Sequence, residues 1–180
     1  AQLLNNIGII HYYRGDYKKE LEYYESSLKI FDEIDHKSGM AIALNNIGAV
    51  VQDSEHKRAL NYYKRAHKIH MELEDKLGMV SLLNNIGKTY QSNSEYDKAR
   101  EYYENSIRIV EQLNNKATLA ICLGNKASIY IIKGDFNQAV DCYKKAFAIF
   151  EELGEKRQMG FYLYNIGNLF DLQNIIFKII

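Results

Sequence analysis

The chain has 180 residues, of which 47% are hydrophobic and 26% charged, the range of an ordinary soluble globular protein. Its 23 basic residues balance 23 acidic ones, which argues against nonspecific nucleic-acid or anionic-membrane binding, since both feed on clustered Lys and Arg. No run of 18 or more apolar residues marks a membrane span. Proline is absent, so helix can follow helix without forced breaks. Spacing predicts helices over 2–13, 17–34, 38–52, 56–74, 77–92, 96–113, 116–132, 136–153 and 157–173, and no strands.

In the first predicted helix Leu4, Ile7, Gly8 and His11 share one face. Gly15-Asp16-Tyr17 ends it: glycine takes the left-handed conformation that closes a helix, and Asp caps the next. The second helix carries Leu21, Tyr24, Leu28 and Phe31 on one stripe. The phrase Leu4-Asn5-Asn6-Ile7-Gly8 then returns as Leu44-Asn45-Asn46-Ile47-Gly48 and Leu83-Asn84-Asn85-Ile86-Gly87. It decays to Leu123-Gly124-Asn125-Lys126-Ala127 and ends as Leu163-Tyr164-Asn165-Ile166-Gly167. The intervals are 40, 39, 40 and 40 residues, the 39 arising where Ser54-Glu55-His56 replaces Gly-Asp-Tyr. Such a period marks a stacked array of helical hairpins, each burying its apolar face against its neighbours. One array over 1–180 is expected, with repeats of about 1–36, 37–75, 76–115 and 116–155 and a partial one at 156–180.

Small residues recur where helices approach: Gly8, Gly48, Gly87 and Ala127 in the first helices, Ala59, Ala99 and Ala139 in the second. The first unit departs with Glu20, expected to be solvated at the open end of the array. Of each tyrosine pair (Tyr12-Tyr13, Tyr23-Tyr24, Tyr62-Tyr63, Tyr102-Tyr103), one ring is expected inward and its neighbour toward the rim.

This layout resembles the tetratricopeptide repeat in its 40-residue variety, found in kinesin light chains, spindle-orientation adaptors, bacterial peptide-pheromone receptors and sensory arms of bacterial signalling proteins. The resemblance covers residues 1–173 and rests on the Leu-Asn-Asn-Ile-Gly helix, the Gly-Asp-aromatic turn (again at Gly134-Asp135-Phe136) and the small residue after it. The usual terminal proline is missing from every unit. The resemblance implies an all-α, right-handed superhelix (α-solenoid) with first helices on the concave side, a cytoplasmic location and no catalysis.

Asn6, Asn46, Asn85, Asn125 and Asn165 stand two residues before the motif's last position, and Asn5, Asn45 and Asn84 add a second amide in three copies. An amide offers donors and an acceptor, and can pair with both the N–H and the C=O of an extended peptide. In the related groove-binding proteins asparagines grip peptides this way, which implies the same for the five matching positions. The alternative is that these amides bond the neighbouring helix or ordered water. The remaining first-helix positions form a nearly uncharged lining. Lys88 is its one cation suited to a peptide carboxylate, too few for the paired-cation clamp of chaperone adaptors. The expected partner is an extended apolar or polar-neutral peptide; the rival is a regulatory arm of a bacterial sensor kinase or transcription regulator.

His67 and His70, with Glu74, have metal-like spacing, but two imidazoles make a weak site, and an exposed face is the expected home. His11 reads as a hydrogen-bonded packing residue. Cys122 and Cys142 read as small buried residues. No nucleophile–base arrangement or phosphate loop stands out, and no cofactor is expected. The chain opens inside a helical pattern without an initiator Met, as a piece of something longer would. Its end, Asn174 to Ile180, is apolar, and with Phe161, Leu163 and Phe170 it points to continuation of the chain or to self-association through this helix.

Overall fold

The computed structural model describes the backbone of residues 1–179 and the side chains of residues 1–172. The apolar end from Asn174 to Ile180 lies outside the described side chains. Among the described residues there are nine helices and no strands: α1 (Gln2–Arg14), α2 (Tyr17–Glu33), α3 (Lys37–Val51), α4 (His56–Glu72), α5 (Lys76–Ser92), α6 (Tyr96–Gln112), α7 (Lys116–Ile132), α8 (Phe136–Glu152) and α9 (Lys156–Ile179). The fold class is all-α, built from helical hairpins of the kind that stack into solenoids. The helix ends agree with the local signals to within two residues except in α9, which runs on to Ile179 rather than stopping near 173.

The turns explain this agreement. Gly15 and Gly134 adopt φ of 70° and 77°, the left-handed conformation that glycine takes without a Cβ clash. Asp16 Oδ1 accepts from the Lys19 N–H at 3.3 Å and Asp135 Oδ1 from the Gln138 N–H at 3.3 Å, capping α2 and α8. The turns between hairpins use His36, Asp75 and Asn115 as caps, accepting from Gly39, Gly78 and Thr118. α3 is two residues shorter than α5 and α7 (15 against 17) and the turn after it one residue longer, which together account for the single 39-residue interval.

The chain divides into two compact units, Ala1–Lys98 and Ala99–Ile180. In the first, successive helices from α1 to α5 pack on one another, and α3 also meets α5. Leu44, Ile47, Ala59, Tyr63, Ala66 and Leu82 are wholly buried there. Two glycines of the repeated phrase admit aromatic rings: a Cβ on Gly8 would lie 2.5 Å from the Tyr24 ring, and one on Gly48 2.4 Å from the Tyr63 ring. In the second unit α7 packs on α8 and α8 on α9 around Ala127, Ala139, Tyr143, Ala146, Phe150 and Tyr162. The Tyr162 hydroxyl donates to the Ala120 carbonyl at 3.0 Å, tying α9 to α7. Cys122 and Cys142 are buried, and burial pushes the Cys142 thiol up.

Four side chains depart from expectation. Glu20 is not solvated: it is 3% exposed, because α2 turns this position toward the hairpin interior, where Ala59, Ala99 and Ala139 stand in the other repeats. His70 is 4% exposed, not on an open face, and its Nδ1 lies 3.0 Å from Asp75 Oδ2, bracing the residue that caps α5; His67 is exposed. Tyr24, Tyr63 and Tyr103 turn inward as expected, but Tyr12 and Tyr13 are both exposed, at 57% and 83%. His11 packs by stacking on Tyr23 at 5.3 Å; its buried Nδ1 has no hydrogen-bond partner, and Asp16 Oδ2 stands 3.7 Å away.

Candidate functional site

The repeated asparagines sit on α1, α3, α5, α7 and α9, the first helices of the hairpins. In the first unit they form rungs between successive first helices. Asn46 Nδ2 donates to Asn5 Oδ1 at 3.1 Å, and one repeat later Asn85 Nδ2 donates to Asn45 Oδ1 at 3.0 Å. The second amide of one repeat thus meets the first amide of the repeat before it. Asn5 is buried and Asn45 half-buried, so each rung satisfies an acceptor that water reaches poorly. Asn84, also buried, turns its Nδ2 to its own helix and donates to the Val80 carbonyl at 2.9 Å. Asn6 is exposed. Asn165 donates to the Phe161 carbonyl at 2.7 Å, and Asn125 is half-buried.

The rungs give a direct expectation for stability. Asn85→Ala strands the Asn45 acceptor, whereas removing both amides strands nothing. A double-mutant cycle of Asn45→Ala and Asn85→Ala, read by urea unfolding, is expected to show a coupling of about 0.5–1.5 kcal/mol. Strict additivity would show that the rung carries no energy.

One N–H of Asn46 and of Asn85 is used in each rung, and the rest of each amide faces a shared space. A cavity of about 690 Å³ in the first unit is lined by Asn46, Asn85 and Lys88 together with Ile9, Tyr12 and Gln52. Helix α2 closes it with Tyr17, Glu20 and Tyr24. The Thr89 hydroxyl lies 3.0 Å from the Asn85 carbonyl and 3.3 Å from Gln52 Oε1, linking this wall to α3. Asp53, at the same cavity, accepts from the Ser92 hydroxyl at 3.1 Å. In the second unit a separate cavity of about 780 Å³ is lined by Ile121, Gly124, Asn125, Phe161 and Tyr162, with Arg157. Both volumes fall in the range of small-ligand and side-chain sites.

Three of the expected site residues, Asn46, Asn85 and Lys88, therefore meet at one cavity, and Asn125 stands at the other. Asn5, Asn45 and Asn84 are committed to bonds within the chain, and Asn6 and Asn165 line neither cavity. The contribution of α2 was missed. Its one visible signal was Glu20, a charged residue where the other repeats have alanine. Burial raises the Glu20 carboxyl above its ordinary value, the Tyr24 hydroxyl lowers it in part, and Tyr24 itself is pushed up to about 12 by burial and by Glu20.

Among the described residues, no group of three or more His, Cys, Asp or Glu is placed to hold a metal ion. No helix among them is long and apolar enough to cross a membrane.

A family model described as Tetratricopeptide repeat matches residues 1–72 and 78–152. No curated protein sequence matches the chain. Among solved structures, BtubC (BKLC) from P. vanneervenii is similar at 25% identity and a TM-score of 0.73, over 86% of this chain and 64% of that one. The apo form of RapI aligns at 20% identity and a TM-score of 0.79, over 94% and 62%. A Rap protein complexed with Competence and Sporulation Factor aligns at 18% identity and a TM-score of 0.81, over 95% and 52%. The chain thus spans between about half and two thirds of each of these proteins.

Proposed function

Because the chain belongs to the tetratricopeptide repeat family, a family of protein-interaction modules, we propose that it is a noncatalytic module that holds an extended peptide segment of a partner protein along its first helices. The observation that carries this reading is the convergence of Asn46, Asn85 and Lys88 on one cavity. Each amide keeps an oxygen and an N–H beyond its rung bond, the pair needed to meet a peptide unit. The rungs space such amides one hairpin apart and hold their side chains in fixed orientations, which lowers the ordering cost of binding. Asn6 holds the same repeat position on α1, and Asn125 and Asn165 hold it within the second unit. The Rap complex supports the reading by its fold and by the presence of a bound factor.

The test uses a displayed library of unstructured peptides, with binding of the selected peptides followed by fluorescence anisotropy. Asn46→Ala is expected to weaken capture by roughly tenfold, the loss of one to two buried hydrogen bonds. Asn5→Ala breaks the same rung from its other end without touching the cavity, so it is expected to lose similar stability but only the small part of the affinity that comes from pre-ordering Asn46. If both variants lose affinity alike, the effect is scaffolding, and the amide-grip reading falls. A library yielding no peptide that the parent binds would sink the peptide reading itself.

A further inference from the structure

The cavity of the first unit contains a group that the stability of the fold does not call for. Glu20 is 97% buried in the sense that only 3% of its surface is exposed, it lines the cavity, and its Oε2 has no hydrogen-bond partner. Three other repeats place alanine at this position, so the hairpin does not require a carboxylate there. The Tyr24 hydroxyl engages the carboxyl, and among the described residues no cation contributes to its environment. The rings of Tyr12, Tyr17 and Tyr24 line the same cavity. The other charged groups lining the space are Asp53 and Lys88, which leaves one carboxylate in excess.

A desolvated carboxylate without a counter-ion, beside aromatic rings, matches one ligand chemistry. It is a cation on an apolar stem, which can satisfy the carboxylate and lie against the ring faces. We infer that this cavity takes a basic side chain, arginine or lysine, of the bound peptide, with Glu20 as its counter-charge and Tyr12, Tyr17 and Tyr24 as its aromatic walls. The inference rests on the peptide reading above and adds to it a specificity that the near-uncharged lining of the first helices did not suggest. The amides of Asn46 and Asn85 hold the backbone, and Glu20 selects the side chain.

The experiment is a ¹H–¹⁵N NMR titration of the full chain with N-acetyl-arginine N-methylamide, its uncharged citrulline isostere, and alanine N-methylamide with a free amino group. The arginine probe is expected to shift the amides around Glu20 and Tyr24 saturably and to bind roughly tenfold more tightly than citrulline. Glu20→Gln, nearly isosteric, is expected to abolish that preference. Tyr17→Leu, at an exposed position, is expected to weaken the arginine probe severalfold. Equal binding of arginine and citrulline, a preference that survives Glu20→Gln, or tighter binding of the free-amine probe overturns the inference. Library peptides whose capture depends on Asn46 but on neither a basic residue nor Glu20 also overturn it and leave the peptide reading intact. Saturable arginine binding at Glu20 with no peptide captured does the reverse.

Discussion

Gly48→Leu is expected to lower the stability of the protein by about 2 kcal/mol, seen as an earlier urea midpoint by circular dichroism. A Cβ on Gly48 would lie 2.4 Å from Tyr63 Cε1 and 2.8 Å from Cδ1 and Cζ, and Tyr63 is wholly buried, so the ring has nowhere to retreat. Leucine gains about 0.8–1 kcal/mol of helix propensity over glycine. Overpacking a tight core costs about 1–3 kcal/mol, occasionally more, and three further carbons beyond the Cβ push the cost to the upper end. Adding Tyr63→Ala to Gly48→Leu is expected to recover part of the loss, because the two side chains compete for one volume. Gly167, the same motif position in α9, has nothing within 4 Å of its Cβ position. There Gly167→Ala is expected to stabilise by about 0.5–1 kcal/mol. An unchanged midpoint for Gly48→Leu would show that Tyr63 can move aside and that the glycine is not a packing requirement.

Glu20→Ala is expected to do the opposite and stabilise the protein by about 1–3 kcal/mol at neutral pH, the cost of burying a carboxyl whose Oε2 has no hydrogen-bond partner. Alanine is tolerated at the equivalent Ala59, Ala99 and Ala139, each wholly buried, so the replacement leaves a packing found elsewhere in the chain. The sign of the pH dependence follows from the raised native carboxyl. The native state holds the Glu20 proton more tightly than the unfolded chain, whose ordinary value is 4.5. Glu20 therefore contributes favourably below that value, and the contribution is lost as pH rises through the raised native one. The advantage of Glu20→Ala is thus largest at neutral pH and shrinks toward pH 4.5. Urea midpoints of parent and variant at the two pH values give the comparison; an equal advantage at both would mean that burial of the charge is not its source. A stabilising change that also removes cation binding would place Glu20 among residues kept for function at the expense of stability.

Much of the architecture was legible because its determinants are local. Gly15-Asp16 and Gly134-Asp135 close and cap helices through contacts three or four residues long, and the apolar stripes repeat at helical spacing, so the ends of α1 to α8 follow from neighbours in the chain. Burial of Tyr24, Tyr63 and Tyr103 was readable from the same stripes. Other features were not. Pattern alone placed Glu20 in solvent and one of Tyr12 and Tyr13 inside, because it reports which face a residue occupies and not what the next hairpin leaves uncovered. The role of His70 depended on Asp75 reaching back across the turn between α4 and α5.

The candidate site shows the division most clearly. Asparagine at a fixed place in each repeat was plain from the primary structure, as were the helical hairpins and the repeat family to which they belong. Whether those amides bond one another or face a cavity was decided only when α1, α3 and α5 came together, since Asn46 meets Asn5 and Asn85 meets Asn45 from one repeat away. Helix formation is settled by contacts within a turn or two of the chain, and those are written in consecutive residues. A cavity is the space that packed helices leave, and its walls at Glu20, Asn46, Asn85 and Lys88 exist only after three hairpins have closed upon it.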